Sequence, residues 1–272
     1  MRSCTPSIGL TFIAAAAAVL SGCAMAPAAP PAAAPAAGAS HLDTVQKAAV
    51  LRICTPGDYK PFSFQKPDGA FEGIDVDLMA GFSASLGAKP EWIKTTWANL
   101  LPDLTAGKCD IAVGGVSVTT DRQKRAFFSA PYMVNGKTPI ARCADVTKYQ
   151  SVAAIDQPSV RVIFNPGGSN ERFARANFKH AKLTLHGENV TIFDEILANR
   201  ADVFVTESAE AITQQKLKPG LCAVNPDKPL QYGEMAWMLP RDDVAFKSYV
   251  DQWLHLQQAG GDFQRTMDRW LK

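Results

Sequence analysis

From residue 50 onward, apolar and polar positions follow a repeating order. An apolar run over residues 51–55 stops at Pro56-Gly57 and predicts a strand. Residues 75–86 carry Val76, Met79, Ala80, Phe82 and Leu86 close to helical spacing, with Gly87 as the stop. A strand over 90–95, a helix over 97–106 and a strand over 110–116 come next. This βαβαβ order implies a parallel sheet with right-handed crossovers. The order then recurs, with strands at 160–164, 182–185 and 203–206 and helices at 169–178 and 191–200. Beyond it the pattern predicts a helix over 207–217, a short strand at 222–224, an apolar segment at 235–239 and helices over 243–258 and 262–271. Two similar α/β units, with a tail long enough to return to the first, describe two lobes around a cleft. The first lobe takes residues 43–139 plus 234–272 and the second takes 140–233, with connecting segments near 137–141 and 232–236.

The first 42 residues follow a different pattern. Met1-Arg2 is positive, and residues 8–20 are almost continuously apolar. That run is shorter than the roughly 20 apolar residues a membrane span needs, so residues 1–22 read as a signal peptide. It ends in Leu20-Ser21-Gly22-Cys23, which resembles the lipobox of bacterial lipoproteins and makes Cys23 the candidate acylated residue. An ordinary signal peptide cut after Ala24 or later is the other reading. Residues 24–40 hold no charge and four prolines. In extended polyproline geometry, at about 3.1 Å per residue, such a tether spans roughly 50 Å. Residues 23–42 are therefore read as an anchor and tether, holding the protein in the periplasm by a lipid, most simply on the inner leaflet of the outer membrane.

Composition narrows the function classes. The 272-residue chain has a formal charge of +2 with Arg2 included and no long basic run, so nothing points to nucleic acid. Cys4 and Cys23 belong to the leader, leaving Cys54, Cys109, Cys143 and Cys222, which allow three full pairings. Cys143 and Cys222 fall at the ends of strands in one predicted lobe and are the expected disulfide in an oxidising compartment. Cys54 and Cys109 read as buried small apolar side chains. His41, His180, His186 and His255 are scattered, no spacing suits a metal, and there is no phosphate loop or dinucleotide fingerprint. Any chemistry is expected to run without a cofactor.

Two tiers of motif then carry a resemblance. Gly57-Asp58-Tyr59-Lys60-Pro61-Phe62-Ser63-Phe64, Phe71-Glu72-Gly73-Ile74-Asp75-Val76-Asp77 and the run from Gly114-Gly115 to Asp121-Arg122 resemble periplasmic binding proteins for polar amino acids. The resemblance implies the type II two-lobed periplasmic-binding-protein fold, an α/β architecture in which each lobe is a mostly parallel sheet flanked by helices and two strands form the hinge. A narrower set is similar to the periplasmic cyclohexadienyl dehydratases, enzymes built on that fold. It includes Asn135-Gly136-Lys137-Thr138-Pro139-Ile140, Ile155-Asp156-Gln157-Pro158, Asn165-Pro166-Gly167-Gly168 and Asn189-Val190-Thr191-Ile192-Phe193. It implies decarboxylating dehydration of a small molecule, prephenate to phenylpyruvate and/or arogenate to phenylalanine. The alternative is a non-catalytic amino-acid-binding lipoprotein serving an ABC permease. A homo-oligomer is left open.

Site roles follow by position. Arg122 offers a planar fork for a carboxylate, and in the binding-protein family it holds the ligand's α-carboxylate together with Gly115, whose N–H approaches the ligand, and Ser117. Tyr59 matches an aromatic laid over the ligand, and Trp97, opening a helix, matches a dehydratase tryptophan. Asn165 matches an asparagine at the reacting centre, and Gly168 and Ser169 begin a helix whose N–H groups favour an anion. Glu207 stands where amino-acid binders place an ammonium-holding Asp, and Lys137 is a candidate cation for a substrate carboxylate. Glu210 matches the general acid. Hydroxide leaves poorly, so the reaction needs a protonated carboxyl, and burial in a closed cleft raises a carboxyl pKa.

Overall fold

The structure is a computed structural model and describes residues 39–272. The predicted signal peptide, Cys23 and nearly all of the tether lie outside the described residues. The tether ends sooner than predicted, because His41–Ala48 is already helical. Ser40 Oγ and the His41 N–H both donate to Asp243, which also caps the helix Val244–Gly260. Among the described residues no helix is long and apolar enough to cross a membrane.

Two sheets carry the lobes. The first is five-stranded, in the order Lys89–Lys94, Val50–Thr55, Ile111–Ala112, Met238–Leu239, Phe127–Phe128. Its first three strands are the parallel set of the predicted βαβαβ unit, and the last two join antiparallel. The second follows the order Lys182–Leu185, Arg161–Phe164, Val203–Glu207, Met133–Arg142, Leu221–Ala223. Again the first three are parallel and the rest antiparallel. Both sheets are thus mixed, with the parallel portion confined to strands that a helical crossover joins. Each has its own core. Leu51, Ile53, Phe82, Trp237 and Phe246 are fully buried in the first lobe, and Ile140, Phe193, Phe204 and Val203 in the second.

Met133–Arg142 and Gln231–Met235 link the lobes and pair antiparallel, from Met133 opposite Met235 to Lys137 opposite Gln231. The predicted crossing at 137–141, and with it the lobe boundary after residue 139, is corrected: residues 137–141 are paired with Val203–Glu207 inside the second sheet. The chain changes lobe before Gly136. This shift places Lys137 on the second lobe, fixed in a strand.

Cys143 and Cys222 are disulfide-bonded, with Cα atoms 4.8 Å apart. Cys54 and Cys109 are bonded too, at 5.7 Å, which overturns their reading as separate apolar side chains. The cause is tertiary: Val50–Thr55 lies beside Ile111–Ala112, with Cys54 opposite Ala112, so Cys109 just upstream meets Cys54.

Candidate active site

The lobes meet through polar contacts. Ser117 of the first lobe donates to Glu207 of the second at 2.7 Å and lies 3.1 Å from Ser169 Oγ. Asn189 of the second lobe donates to the Asp58 carbonyl of the first at 3.0 Å. Between them is a small, nearly closed pocket lined by Tyr59, Trp97, Gly115, Ser117, Asn165, Gly168, Ser169, Asn170 and Glu207. The sequence reading singled out all of these except Asn170. Lys137 and Glu207 also border a larger outer cleft, of about 270 Å³, with Arg172 and Tyr232. Arg122 and Glu210 do not line the inner cavity. Each is connected to it through hydrogen bonds, Arg122 by way of Ser117 and Glu210 by way of Thr206 and Asn170.

On the first-lobe face, Tyr59 stacks on Phe62 and meets Trp97 edge-on, both at 5.5 Å between ring centroids. Gly115 makes this packing possible. Its φ is +71°, and a Cβ there would come within 2.7 Å of both the Phe62 and Tyr59 rings. The predicted approach of the Gly115 N–H to a ligand is corrected, because that N–H donates to the buried Asp75 carboxylate at 2.7 Å, as does that of Gly114. Trp97 sits in a turn ahead of the helix Leu100–Thr105 rather than opening it, and its indole N–H donates to Asp58 at 3.0 Å. Arg122, 6% exposed, donates to the Ser117 carbonyl at 2.8 Å and has no ion-pair partner among the described residues. Burial, with Arg172 nearby, pushes its guanidinium down to about 10, so it stays a cation at neutral pH. A buried guanidinium with most of its donors free is a site for an anion.

The second-lobe face is a continuous hydrogen-bonded network. The Lys137 ammonium donates to Ser169 Oγ at 2.8 Å, Asn170 Oδ1 at 2.6 Å and Glu207 Oε1 at 2.7 Å. All three protons are committed, so the predicted role of Lys137 as a cation free for a substrate carboxylate gives way to a buried ion pair with Glu207. Asn170 in turn donates to Asn165 at 3.3 Å and to Thr206 at 3.2 Å, and Thr206 donates to Glu210 at 2.5 Å. At the start of the helix Ser169–Asn177 the Gly167 N–H is occupied by Glu171 at 2.7 Å, which reduces the anion site predicted there.

Two carboxyl groups three residues apart are shifted in opposite directions. Glu207 is the last residue of its strand and Glu210 lies in the first turn of the helix Ser208–Leu217. Burial works to raise Glu207, but the charge and hydrogen bond of Lys137, with Ser117 and Ser169, hold it below the usual range. Glu210, 1% exposed, is pushed well above that range by burial, with Asp58 and Glu207 acting in the same direction against Thr206 and Lys137. Burial also raises Asp58 to about 6, the Trp97 hydrogen bond opposing it. The cleft therefore combines a fixed cation, a carboxyl whose burial favours its neutral form and a compensated ion pair.

Sequence reasoning missed Asp58, Asp75, Asn170, Thr206 and Arg172 as parts of this arrangement. Asp58 and Asp75 were inside quoted motifs without a role. Asn170 and Thr206 carried no signal, because their partners are distant in sequence. Among the described residues no three His, Cys, Asp or Glu side chains converge as a metal centre.

Comparison with known proteins bears on this geometry. The chain is 46% identical over 233 residues to the cyclohexadienyl dehydratase of Pseudomonas aeruginosa, covering 86% of this chain and 87% of that protein. An ancestral cyclohexadienyl dehydratase matches at 47% identity and a TM-score of 0.55, over 86% of this chain and 97% of that one. An ancestral amino acid-binding protein, described as a precursor of cyclohexadienyl dehydratase, matches at 31% identity and a TM-score of 0.80, over 86% of this chain and all of its own. The model of the bacterial extracellular solute-binding proteins, family 3, matches residues 51–272. With that match spanning both lobes and the cleft, the chain belongs to family 3 of the bacterial extracellular solute-binding proteins.

Proposed function

We propose that this cleft is the active site of a cyclohexadienyl dehydratase, converting prephenate to phenylpyruvate and/or arogenate to phenylalanine. The observation that carries the reading is Glu210, a carboxyl buried at the end of a hydrogen-bonded network that includes the Lys137–Glu207 ion pair, where burial favours its neutral form. A solute carrier gains nothing from a buried neutral acid, whereas a poor leaving group needs one. The 46% identity to the Pseudomonas aeruginosa cyclohexadienyl dehydratase supports the same reading.

Arg122 takes the side-chain carboxylate of the substrate, while Tyr59 and Trp97 cover the ring. Glu210 gives its proton to the ring hydroxyl as the C–O bond breaks. The ring carboxylate leaves as carbon dioxide, and the electron pair of its C–C bond enters the ring, which becomes aromatic. The departing hydroxyl and the Glu210 proton leave together as water, alongside carbon dioxide and the aromatic product. Asn165, tied to Asn170, holds the reacting end of the substrate. Contact between the lobes shields this transfer from bulk water.

Purified mature protein incubated with prephenate tests the proposal, with phenylpyruvate read by its absorbance in alkali. Turnover is expected, and Glu210→Gln is expected to keep substrate affinity while losing about 10²–10⁴ in kcat. No product above the spontaneous background, together with tight amino-acid binding in calorimetry, identifies a receptor instead.

The same proposal places the protein in the periplasm, tethered through an acylated Cys23. Two disulfides suit an oxidising compartment. Labelled fatty acid is expected to enter the wild type and not Cys23→Ala, and equal labelling of both rules the anchor out.

A further inference from the structure

Three hydrogen bonds lead in one direction from Lys137 to Glu210, a fourth branches to Asn165, and their polarity follows from what each group is able to give. An ammonium has no lone pair, so the Asn170 atom 2.6 Å from Lys137 Nζ is the amide oxygen. The other end of Asn170 is therefore its NH₂ group. Both contacts there, Thr206 Oγ1 at 3.2 Å and Asn165 Oδ1 at 3.3 Å, are accepted by the neighbour. Thr206 is fully buried and already receives a hydrogen bond from Asn170, so its own proton needs an acceptor. Among the described residues that acceptor is Glu210 Oε2, 2.5 Å away. The reverse polarity, with Glu210 donating through Oε2, leaves the Thr206 hydroxyl proton only the nearby buried Tyr59 hydroxyl, with which it makes no hydrogen bond of good geometry, in place of a 2.5 Å contact.

We propose that Asn170 and Thr206 are positioning residues that fix the acid proton of Glu210 on Oε1, the oxygen they leave free for the substrate. The inference rests on the dehydratase reading and adds to it the atom that delivers the proton. A neutral carboxyl has one carbonyl-like oxygen and one hydroxyl, and Thr206 pins Oε2 as the carbonyl-like one. The same polarity turns Asn165, whose oxygen accepts from Asn170 and whose NH₂ has no partner among the described residues. Two donors, the Glu210 Oε1 hydroxyl and the Asn165 amide, are thus reserved for substrate oxygens. Lys137 acts at the far end by holding Asn170 in the one orientation that does this. Burial lowers the Lys137 pKa, and the ion pair with Glu207 opposes that shift and holds the side chain in place.

Thr206→Val removes the hydroxyl at nearly constant shape, and Thr206→Ser restores it. The valine variant is expected to lose about ten- to hundredfold in kcat with KM changed by no more than about threefold, since only a transition-state interaction is removed. The alkaline limb of its pH–rate profile moves upward, because the Thr206 hydrogen bond is one of the two influences holding Glu210 down. The serine variant recovers both. A merely structural role for Thr206 predicts a lower melting temperature and an unmoved limb, and that result overturns the proposal. Infrared difference spectra, with Glu210→Gln as the reference, give a readout that needs no turnover. Loss of the Thr206 bond moves the Glu210 carbonyl band to higher frequency, and an unmoved band in Thr206→Val also overturns the proposal. If the wild type lacks turnover, the dehydratase reading fails while the infrared band still tests the relay.

Discussion

The two faces of the cleft are built by different means. On the first lobe, aromatic packing dominates: Tyr59, Phe62 and Trp97 interlock around Gly115, and the Arg122 cation is buried with its donors largely unspent. On the second lobe, hydrogen bonds run unbroken from Ser169 through Lys137, Asn170 and Thr206 to Glu210, and the charges of Lys137 and Glu207 cancel within it. One face is suited to hold a flat, anionic molecule and the other to move a proton at it. Amino-acid binders also carry a charged side chain at the Glu207 position, so the feature of the second lobe that sets this cleft apart is the buried carboxyl of Glu210 at the end of the network.

Breaking the second-lobe network has the largest expected effect. Lys137→Met leaves Glu207 as an uncompensated buried charge and is expected to destabilise the fold by about 3–5 kcal/mol. For a protein of this size that lowers Tm by roughly 6–20 °C. Removing both charges in Lys137→Met/Glu207→Gln is expected to recover at least half of the loss, measured by thermal melting. If the double variant is no better than the single one, the pair is not the compensated unit described here.

On the first-lobe face a smaller effect is expected. Arg122→Met removes charge-assisted hydrogen bonds to the substrate, worth about 1.5–3 kcal/mol. KM is expected to rise roughly ten- to hundredfold with kcat changed far less. A fall in kcat at constant KM reverses the division of labour between the lobes.

A subtler contrast lies in pH. Glu207 is held below the usual carboxylate range, so its stabilisation is complete above that range and fades as pH falls through its folded value. Glu210 is raised, so the fold is best supported below the usual carboxylate range and loses that support as pH climbs through the raised value. Glu210→Gln is accordingly expected to gain Tm relative to the wild type as pH rises, and Glu207→Gln to lose the acid-side dependence. Identical pH–Tm curves for the wild type and both variants contradict the assignment of opposite shifts.

The smallest effect links the two faces. Asp58, on the first lobe, is one of the groups that raise Glu210. Asp58→Asn is expected to shift the alkaline limb of the kcat profile down by less than one pH unit. It also removes the titration near 6 that Asp58 itself contributes.

Much of the fold was legible because period and punctuation agreed. The 51–55 run stopped by Pro56-Gly57 is the observed strand Val50–Thr55, and the 262–271 helix is Asp262–Leu271. The three-stranded sheet Asp58–Tyr59, Ser63–Gln65, Phe71–Glu72 was not legible, since strands of two or three residues show no period. Nor was Met133–Arg142, where Asn135, Gly136, Lys137 and Pro139 interrupt the apolar pattern of a buried strand. Most of the residues around the cavity were found through motifs, yet their bonding was not. Lys137 and Glu207 are 70 residues apart and Cys54 and Cys109 are 55 apart, so only sheet register brings each pair together. Polarity within a network is likewise a property of the folded site. Nothing local in sequence tells Glu207 from Glu210, and their environments decide which one keeps its proton.

The infrared carbonyl band of a protonated carboxylic acid, followed through a pH titration of the substrate-free wild type against Glu210→Gln, tests the central claim most directly. A band present at neutral pH in the wild type and missing from the variant is the predicted result. If Glu210 already shows the carboxylate signature at neutral pH, the buried acid described here does not exist.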